Sequence, residues 1–165
     1  MTLLTTTIPC PLGNLRAFAS PAGLRALLWP EIDPARNGIM EPLHEEPRSP
    51  VFVELRRQLD EYFDGARQRF ELPLDPVGTE FQHLAWRALQ TIPFGTTRSY
   101  GTQAASIGRP KAARAIGAAN ARNPLSIIVP CHRVVGADGS LTGFAGGVDR
   151  KRSLIERESL SLALP

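Results

Sequence analysis

Three short runs open the chain, LLTTTI, LRAFAS and LRALLW, each set off by proline or glycine in PCPLGN and PAG. Runs of this length with that punctuation predict an antiparallel β-meander. From Pro30 to Pro50 the residues are rich in Pro, Glu and Asn and show no period, which predicts a long surface loop over 30–49. In SPVFVELRRQLDEYFDG the apolar residues Val51, Leu55, Leu59, Tyr62 and Phe63 recur at helical spacing. Ser49 stands at the N-cap position, Pro50 at the first helical position and Gly65 at the end, so one helix is expected to pack on the meander. FELPLDPVGTE then carries the chain through two prolines to an expected domain boundary near residues 73–79.

The second half reads differently. TEFQHLAWRALQTI places Phe81, Leu84, Ala85, Ala88, Leu89 and Ile92 on one helical face behind a Thr79 cap. YGTQAASIG and RPKAARAIGAANARN follow as two short helices broken at Gly108 and Pro110, the pattern of a helix-turn-helix. PLSIIVPCHRVVG has an apolar, strand-like run before Pro130, then comes a Gly-rich stretch, and DRKRSLIERESLSLAL closes as a last helix. The expected class is therefore α/β (α+β). Residues 1–76 form an N-terminal supporting domain of antiparallel sheet and helix, and residues 77–165 a mainly helical domain carrying the helix-turn-helix.

Composition narrows this picture. With 165 residues, 42% apolar and 21% charged, the chain can bury a core without disulfide staples. MTLLTTTIPCPLG has neither the basic nor the apolar region of an export signal, and no uncharged run is long enough to span a bilayer. A cytoplasmic, reducing setting follows, with Cys10 and Cys131 as free thiols. The net charge of +3 conceals an asymmetry. Residues 1–80 carry 8 Lys/Arg against 12 Asp/Glu, whereas residues 81–165 carry 11 against 4. A basic half beside an acidic one points to a polyanion-binding module on a supporting one.

Cys131 is directly followed by His132, one of only three histidines. A nearby imidazole makes a thiol more reactive, although adjacent side chains on an extended backbone diverge, so His132 would act through a water or a local turn. An acid must orient that imidazole, and Glu156 and Glu158 on the last helix are the nearest candidates in the chain. In PKAARAIGAANAR, Arg114 stands alone among alanines and glycine. Such a slim helix suits either close approach to a groove, with Arg114 reaching a phosphate or a base stack, or tight helix packing.

PCHRVVG, with RSYG upstream, RPKAARAIGAANARNP between and LTGFAGGVDRKRSLIERE downstream, closely resembles the O6-alkylguanine-DNA alkyltransferases, also called methylated-DNA-protein-cysteine methyltransferases. The similarity is continuous from about Thr79 to Glu158; the first half matches loosely, through CPLGNL and the helix before YFDG. The resemblance implies a ribonuclease-H-like N-terminal domain and DNA repair by direct, single-turnover transfer of an alkyl group to Cys131, with no cofactor to regenerate the thiol. The implied partner is duplex DNA holding O6-alkylguanine, with O4-alkylthymine as a further substrate, bound through the minor groove with the base flipped out. The protein would be monomeric in solution, alone or cooperative on DNA.

By the same resemblance Glu158 holds His132, which takes the Cys131 proton through a water. Tyr100 donates to the leaving guanine, Asn123 ties the recognition helix to the active-site segment, and Arg114 replaces the flipped base. Tyr100, Gly101, Arg109 and Ala137 fall at DNA-contact positions, and Val134, Phe144, Ala145, Gly146, Gly147 and Lys151 at the pocket. Two residues depart from the common pattern. Phe144 stands where tyrosine is frequent and loses a hydroxyl, and Ala145 stands where some members have serine, leaving only a backbone N–H to meet O6. Cys10, His44 and His83 show no ligand spacing, so no metal is expected. The competing readings are a lesion-binding relative that marks without transfer, which lacks the cysteine, and a cysteine hydrolase, which needs a histidine brought from elsewhere in the fold.

Overall fold

The computed structural model describes residues 1–163 and divides into two compact units. The first is Met1–Val77 together with Pro124–Ile128; the second is Gly78–Asn123 and the chain from Val129 onward.

In the first unit, β1 (Leu3–Cys10), β2 (Gly13–Ser20) and β3 (Gly23–Leu28) form the antiparallel meander, joined by two-residue turns that set Cys10 opposite Gly13 and Ser20 opposite Gly23. The expected loop over 30–49 is only partly a loop. It contains a 3-10 turn, Pro34–Asn37, and a three-residue strand β4 (Leu43–Glu45) that pairs parallel with β1, so the sheet is mixed in the order β3-β2-β1-β4. All three β4 side chains are exposed, which is why no alternation of apolar and polar residues marks it. Leu3, Phe18, Ala26, Leu28 and Ile39 form one core cluster, with Ile32 packed against it.

Helix α1 (Pro50–Phe63) begins at Pro50, as expected. Its buried stripe is Phe52, Leu55, Leu59 and Tyr62, with Phe52 inside in place of the expected Val51 and Phe63. Gln58 is buried on the same stripe, where its side chain both donates to Glu71 O (3.0 Å) and accepts from Glu71 N (2.8 Å), satisfying a returning stretch of backbone.

The outer edge of β3 is closed by two separate pieces of chain. At one end Leu24 N donates to Pro73 O (2.9 Å) and Asp75 N to Leu24 O (2.7 Å). Gly23 has φ +148°, and a Cβ there would lie 2.5 Å from Pro73 O, so only glycine admits this approach. At the other end Leu27 N donates to Pro124 O (2.7 Å) and Ser126 N to Leu27 O (3.1 Å). The run expected as a strand before Pro130 is thus a single bridge, Leu27 to Leu125, followed by turns, and its first residues belong to the first unit.

The second unit starts at α2 (Glu80–Leu89), where Thr79 and Gln82 form a reciprocal capping box. Helices α3 (Tyr100–Ser106) and α4 (Ala113–Ala121) are the two arms of the helix-turn-helix, with Gly108 (φ +75°) in the turn between them. Two buried amides lock the arms. Gln103 Nε2 donates to Asn120 Oδ1 (3.0 Å) and Asn120 Nδ2 to Gln103 Oε1 (2.8 Å), while Trp86 Nε1 on α2 donates to Ala119 O (2.9 Å). A two-strand parallel ladder pairs β5 (Arg98–Ser99) with β6 (Val134–Val135), and α5 (Val148–Ala163) ends the unit. No described helix is long and apolar enough to cross a membrane.

Candidate active site and nucleic-acid interface

Every side chain of the candidate site belongs to the second unit. The chain reaches Cys131 through three tight turns in succession. Ile128 N donates to Ser126 O (2.8 Å) across Ile127, whose φ of +72° is the one positive value outside glycine among the described residues. A β-branched residue in that region is strained, and such outliers gather at functional sites. Cys131 N then donates to Val129 O (2.8 Å) across Pro130 (φ −83°, ψ 64°), an inverse γ-turn. Cys131–Arg133 follow as a 3-10 turn, with Arg133 N donating to Pro130 O (3.1 Å).

A 3-10 turn has three residues per revolution, so Cys131, His132 and Arg133 leave the backbone in three directions. Cys131 is 9% exposed and receives a hydrogen bond from the Asn123 side chain. Asn123 Nδ2 also donates to Val129 O (2.8 Å), tying the end of α4 to the turn that carries the thiol. His132 is fully buried, and its Nε2 lies 2.7 Å from Glu158 Oε2. Its Nδ1 is buried and has no protein partner among the described residues.

Helical spacing on α5 decides between the two acids. Lys151, Leu154 and Glu158 form the buried stripe, while Glu156 is exposed. Arg133, which sequence reasoning did not assign, also meets Glu158. Its Nε donates to Oε1 (2.8 Å), Nη2 to Oε2 (3.1 Å) and Nη1 to Ile92 O (2.8 Å), with the guanidinium 5.6 Å from the Phe94 ring centroid. A signal was present: an arginine inside the apolar stretch of PCHRVVG requires a buried acid.

Register Ser99 to Val135 on the short ladder places the start of α3 beside the strand that leaves this turn, which delivers Tyr100. Tyr100 Oη donates to Thr142 O (3.0 Å), and Lys151 Nζ donates to the same carbonyl (2.9 Å) and approaches Tyr100 Oη at 3.5 Å. Thr142, a second unassigned residue, lies in the loop between β6 and α5, where Gly139, Gly143 and Gly147 take positive φ. Phe144 and Gly146 in this loop are half-buried and Ala145 and Gly147 exposed, whereas Val134 is wholly inside the unit.

Burial dominates the electrostatics. It pushes the Cys131 thiol up, against the opposing pull of Asn123 and the Lys151 charge, so the resting group is a thiol rather than the thiolate. Burial pushes His132 down, the Glu158 bond opposes this, and the Arg133 and Lys151 charges add to the lowering. Lys151 is lowered and Tyr100 raised, each chiefly by desolvation. For Glu158 burial acts upward but is outweighed by its bonds to His132 and Arg133, which hold it at about 2. A neutral imidazole facing a carboxylate must present N–H to it, so the proton sits on Nε2 and Nδ1 keeps a lone pair.

The candidate nucleic-acid residues lie on the surface of the unit. On α4 Arg114, Ala115 and Ala118 are exposed while Ile116, Ala119 and Asn120 face inward, giving a slim outer face with one long cation. Arg109 is exposed with its guanidinium 5.4 Å from the Phe81 ring centroid, and Gly101 and Ala137 are exposed as well.

Known proteins are similar to this chain along nearly its whole length. Residues 80–160 match the DNA-binding domain of 6-O-methylguanine DNA methyltransferase, and residues 3–76 match the ribonuclease-like domain of the same family. A methylated-DNA–protein-cysteine methyltransferase of Mycolicibacterium paratuberculosis is 52% identical over 154 residues, covering 92% of this chain and 90% of the relative. One of Methanosarcina barkeri is 43% identical over 155 residues, covering 94% and 96%. The crystal structure of Mycobacterium tuberculosis OGT in complex with DNA superposes with a TM-score of 0.87 at 43% identity, covering 98% of this chain and 94% of that one. The chain belongs to the 6-O-methylguanine DNA methyltransferase family.

Proposed function

We propose that this protein repairs alkylated duplex DNA by moving the alkyl group from O6 of guanine to Cys131 Sγ, once per molecule. The observation that carries the reading is the buried Cys131–His132–Glu158 arrangement, in which His132 Nδ1 is the unpartnered end of an imidazole oriented by a carboxylate. In the reaction the Cys131 proton passes through a water to Nδ1, and Sγ attacks the alkyl carbon as the carbon–O6 bond breaks. Tyr100 Oη gives a proton to the departing guanine and is reprotonated through solvent as His132 releases the thiol proton, so the net transfer leaves that proton on the restored guanine, which stays in the strand. Placing that proton on the base makes it a better leaving group. The product thioether has no hydrolytic exit, and the molecule is spent.

The alkylated base must leave the duplex to meet a buried thiol. The outer face of α4 suits a minor-groove approach because alanines admit the backbone closely and read little sequence. Arg114 fills the stack in place of the flipped base, and Arg109, Gly101 and Ala137 contact the backbone. Phe144, Ala145, Gly146 and Gly147 form the pocket rim with Val134 and Lys151 behind it. The second unit holds every group of the site, so a monomer suffices. The place of action is the cytoplasm, on the nucleoid, where the duplex substrate is.

The test is incubation with duplex DNA carrying labelled O6-methylguanine. Stoichiometric transfer of label to wild-type protein, abolished in Cys131→Ala, is the expected result. Tight binding without transfer of label would establish the lesion-marking reading instead.

A further inference from the structure

Glu158 meets Arg133 as well as His132, and the arginine has no part in the chemistry above. Oε2 accepts from both His132 Nε2 (2.7 Å) and Arg133 Nη2 (3.1 Å), and Oε1 accepts from Arg133 Nε (2.8 Å). We propose that Arg133 is a positioning residue of the transfer reaction: by carrying the counter-charge of Glu158, it keeps His132 neutral and leaves Nδ1 open to receive the thiol proton. The proposal rests on the alkyl-transfer reading of the site.

Charge must balance here in a dry place. The carboxylate, the guanidinium and the imidazole are all almost wholly buried. A buried carboxylate needs a partner of opposite charge. His132 and Arg133 both touch it, and Arg133 supplies that charge with a guanidinium that stays charged at every working pH. Its geometry is two-pronged on the carboxylate, with the third donor held by Ile92 O (2.8 Å) and the face covered by Phe94, so it cannot swing away cheaply. The charged groups acting on His132 are then Glu158 and Lys151 from α5, with Arg133 from its own turn. With Arg133 present, protonating His132 would leave the Glu158 cluster with one excess positive charge beside Lys151. Without it, the charge of Glu158 falls on His132, which is then protonated at rest, with Nδ1 carrying a hydrogen and no longer able to accept one.

The experiment measures the pH profile of alkyl transfer from O6-benzylguanine, together with the NMR titration of the His132 ring, in wild type, Arg133→Met, Arg133→Lys and the double variant Arg133→Met/Glu158→Gln. In Arg133→Met the acidic limb of the profile and the His132 titration should both move to higher pH by about one unit or more, the size of an adjacent opposite charge left unbalanced. Arg133→Lys, which keeps the charge but not the fork, should hold both near their wild-type positions. The double variant, neutral at both positions, should return the His132 titration toward the wild-type value.

If Arg133→Met lowers the rate equally at all pH values while His132 titrates as in wild type, Arg133 is a structural anchor and the proposal is wrong. The same holds if Arg133→Lys shifts as far as Arg133→Met. Should Arg133→Met fail to fold, the double variant and Arg133→Lys still decide, because a His132 titration raised in either contradicts the charge argument. The NMR titration needs no transfer, so failure of the alkyl-transfer reading would show separately, as wild-type protein that takes no benzyl group.

Discussion

Among the described residues two arginines are buried against carboxylates, one in each unit, and they serve different ends. Arg25 on β3 donates to Glu41 (3.0 Å) and Asp75 (2.8 Å), whose side chains are 24% and 31% exposed. Arg133 meets Glu158, which is 2% exposed and shared with a histidine. The first cluster pins the segments after the 3-10 turn and after Pro73 to the sheet; water still reaches the acids, and no third titrating group hangs on them. The second is sealed, so a change of charge there has no solvent to absorb it and falls on His132. The same pair of residue types is a fastener where the dielectric is high and a setting for a neighbour's protonation where it is low.

Breaking the sealed cluster should have the larger effect. Glu158→Ala leaves Arg133 buried without its acid and removes the orientation of His132. A stability loss of about 3–5 kcal/mol is expected by urea unfolding, with alkyl transfer abolished in the folded fraction. Stability equal to wild type would mean that water enters the cluster and that the contrast with Arg25 is unfounded.

Acid should act through the same carboxylate. Glu158 is held at about 2 against an ordinary 4.5, so the folded state favours its charged form. Its contribution, about 3 kcal/mol by linkage, is complete above pH 4.5 and disappears as pH falls toward 2. Urea midpoints for wild type and Glu158→Gln, taken from pH 6 to pH 3, should converge as the pH drops. Midpoints that stay parallel would show that Glu158 titrates no differently in the two states.

Arg25→Met is the matching change in the first unit. It should cost about 1–2 kcal/mol, less than the sealed cluster because the freed acids are partly hydrated. The rate of transfer per folded molecule should be unchanged, and a shifted pH profile would show that the first cluster also reaches the chemistry.

The smallest stability effect belongs to a third arginine. Arg114 is exposed on α4, so Arg114→Ala should leave the melting temperature where it is. It should weaken duplex binding and duplex repair while sparing transfer from free O6-benzylguanine. Equal loss on duplex and on the free base would place Arg114 in the fold rather than at the DNA.

Much of this was legible in the chain itself. The α1 start at Ser49-Pro50, the Thr79 cap and the Gly108 break of the helix-turn-helix depend on neighbours within a few residues, and local chemistry is what a sequence displays. Strand β4 was not legible, because three exposed residues carry no pattern. The run before Pro130 misled for a related reason. Apolar residues announce burial, but whether their backbone groups go to a ladder or to local turns is settled by what lies alongside, and β3 offers a bridge only at Leu125.

Cys131 beside His132, and a cation in an apolar stretch at Arg133, are facts of sequence, and with the surrounding motif they determined the family and the chemistry to look for. Resemblance singled out Glu158 from Glu156, and the fold supplies the reason: on α5 the buried stripe through Lys151 and Leu154 turns Glu158 inward and Glu156 to solvent. Only the tertiary structure decided that Arg133, twenty-five residues away along the chain, shares that carboxylate with His132. Burial and counter-charge arise from residues distant in sequence, and they set which atom of His132 holds the proton and whether Cys131 rests as thiol or thiolate. The pattern PCHRVVG names the groups; their protonation states belong to the packed site.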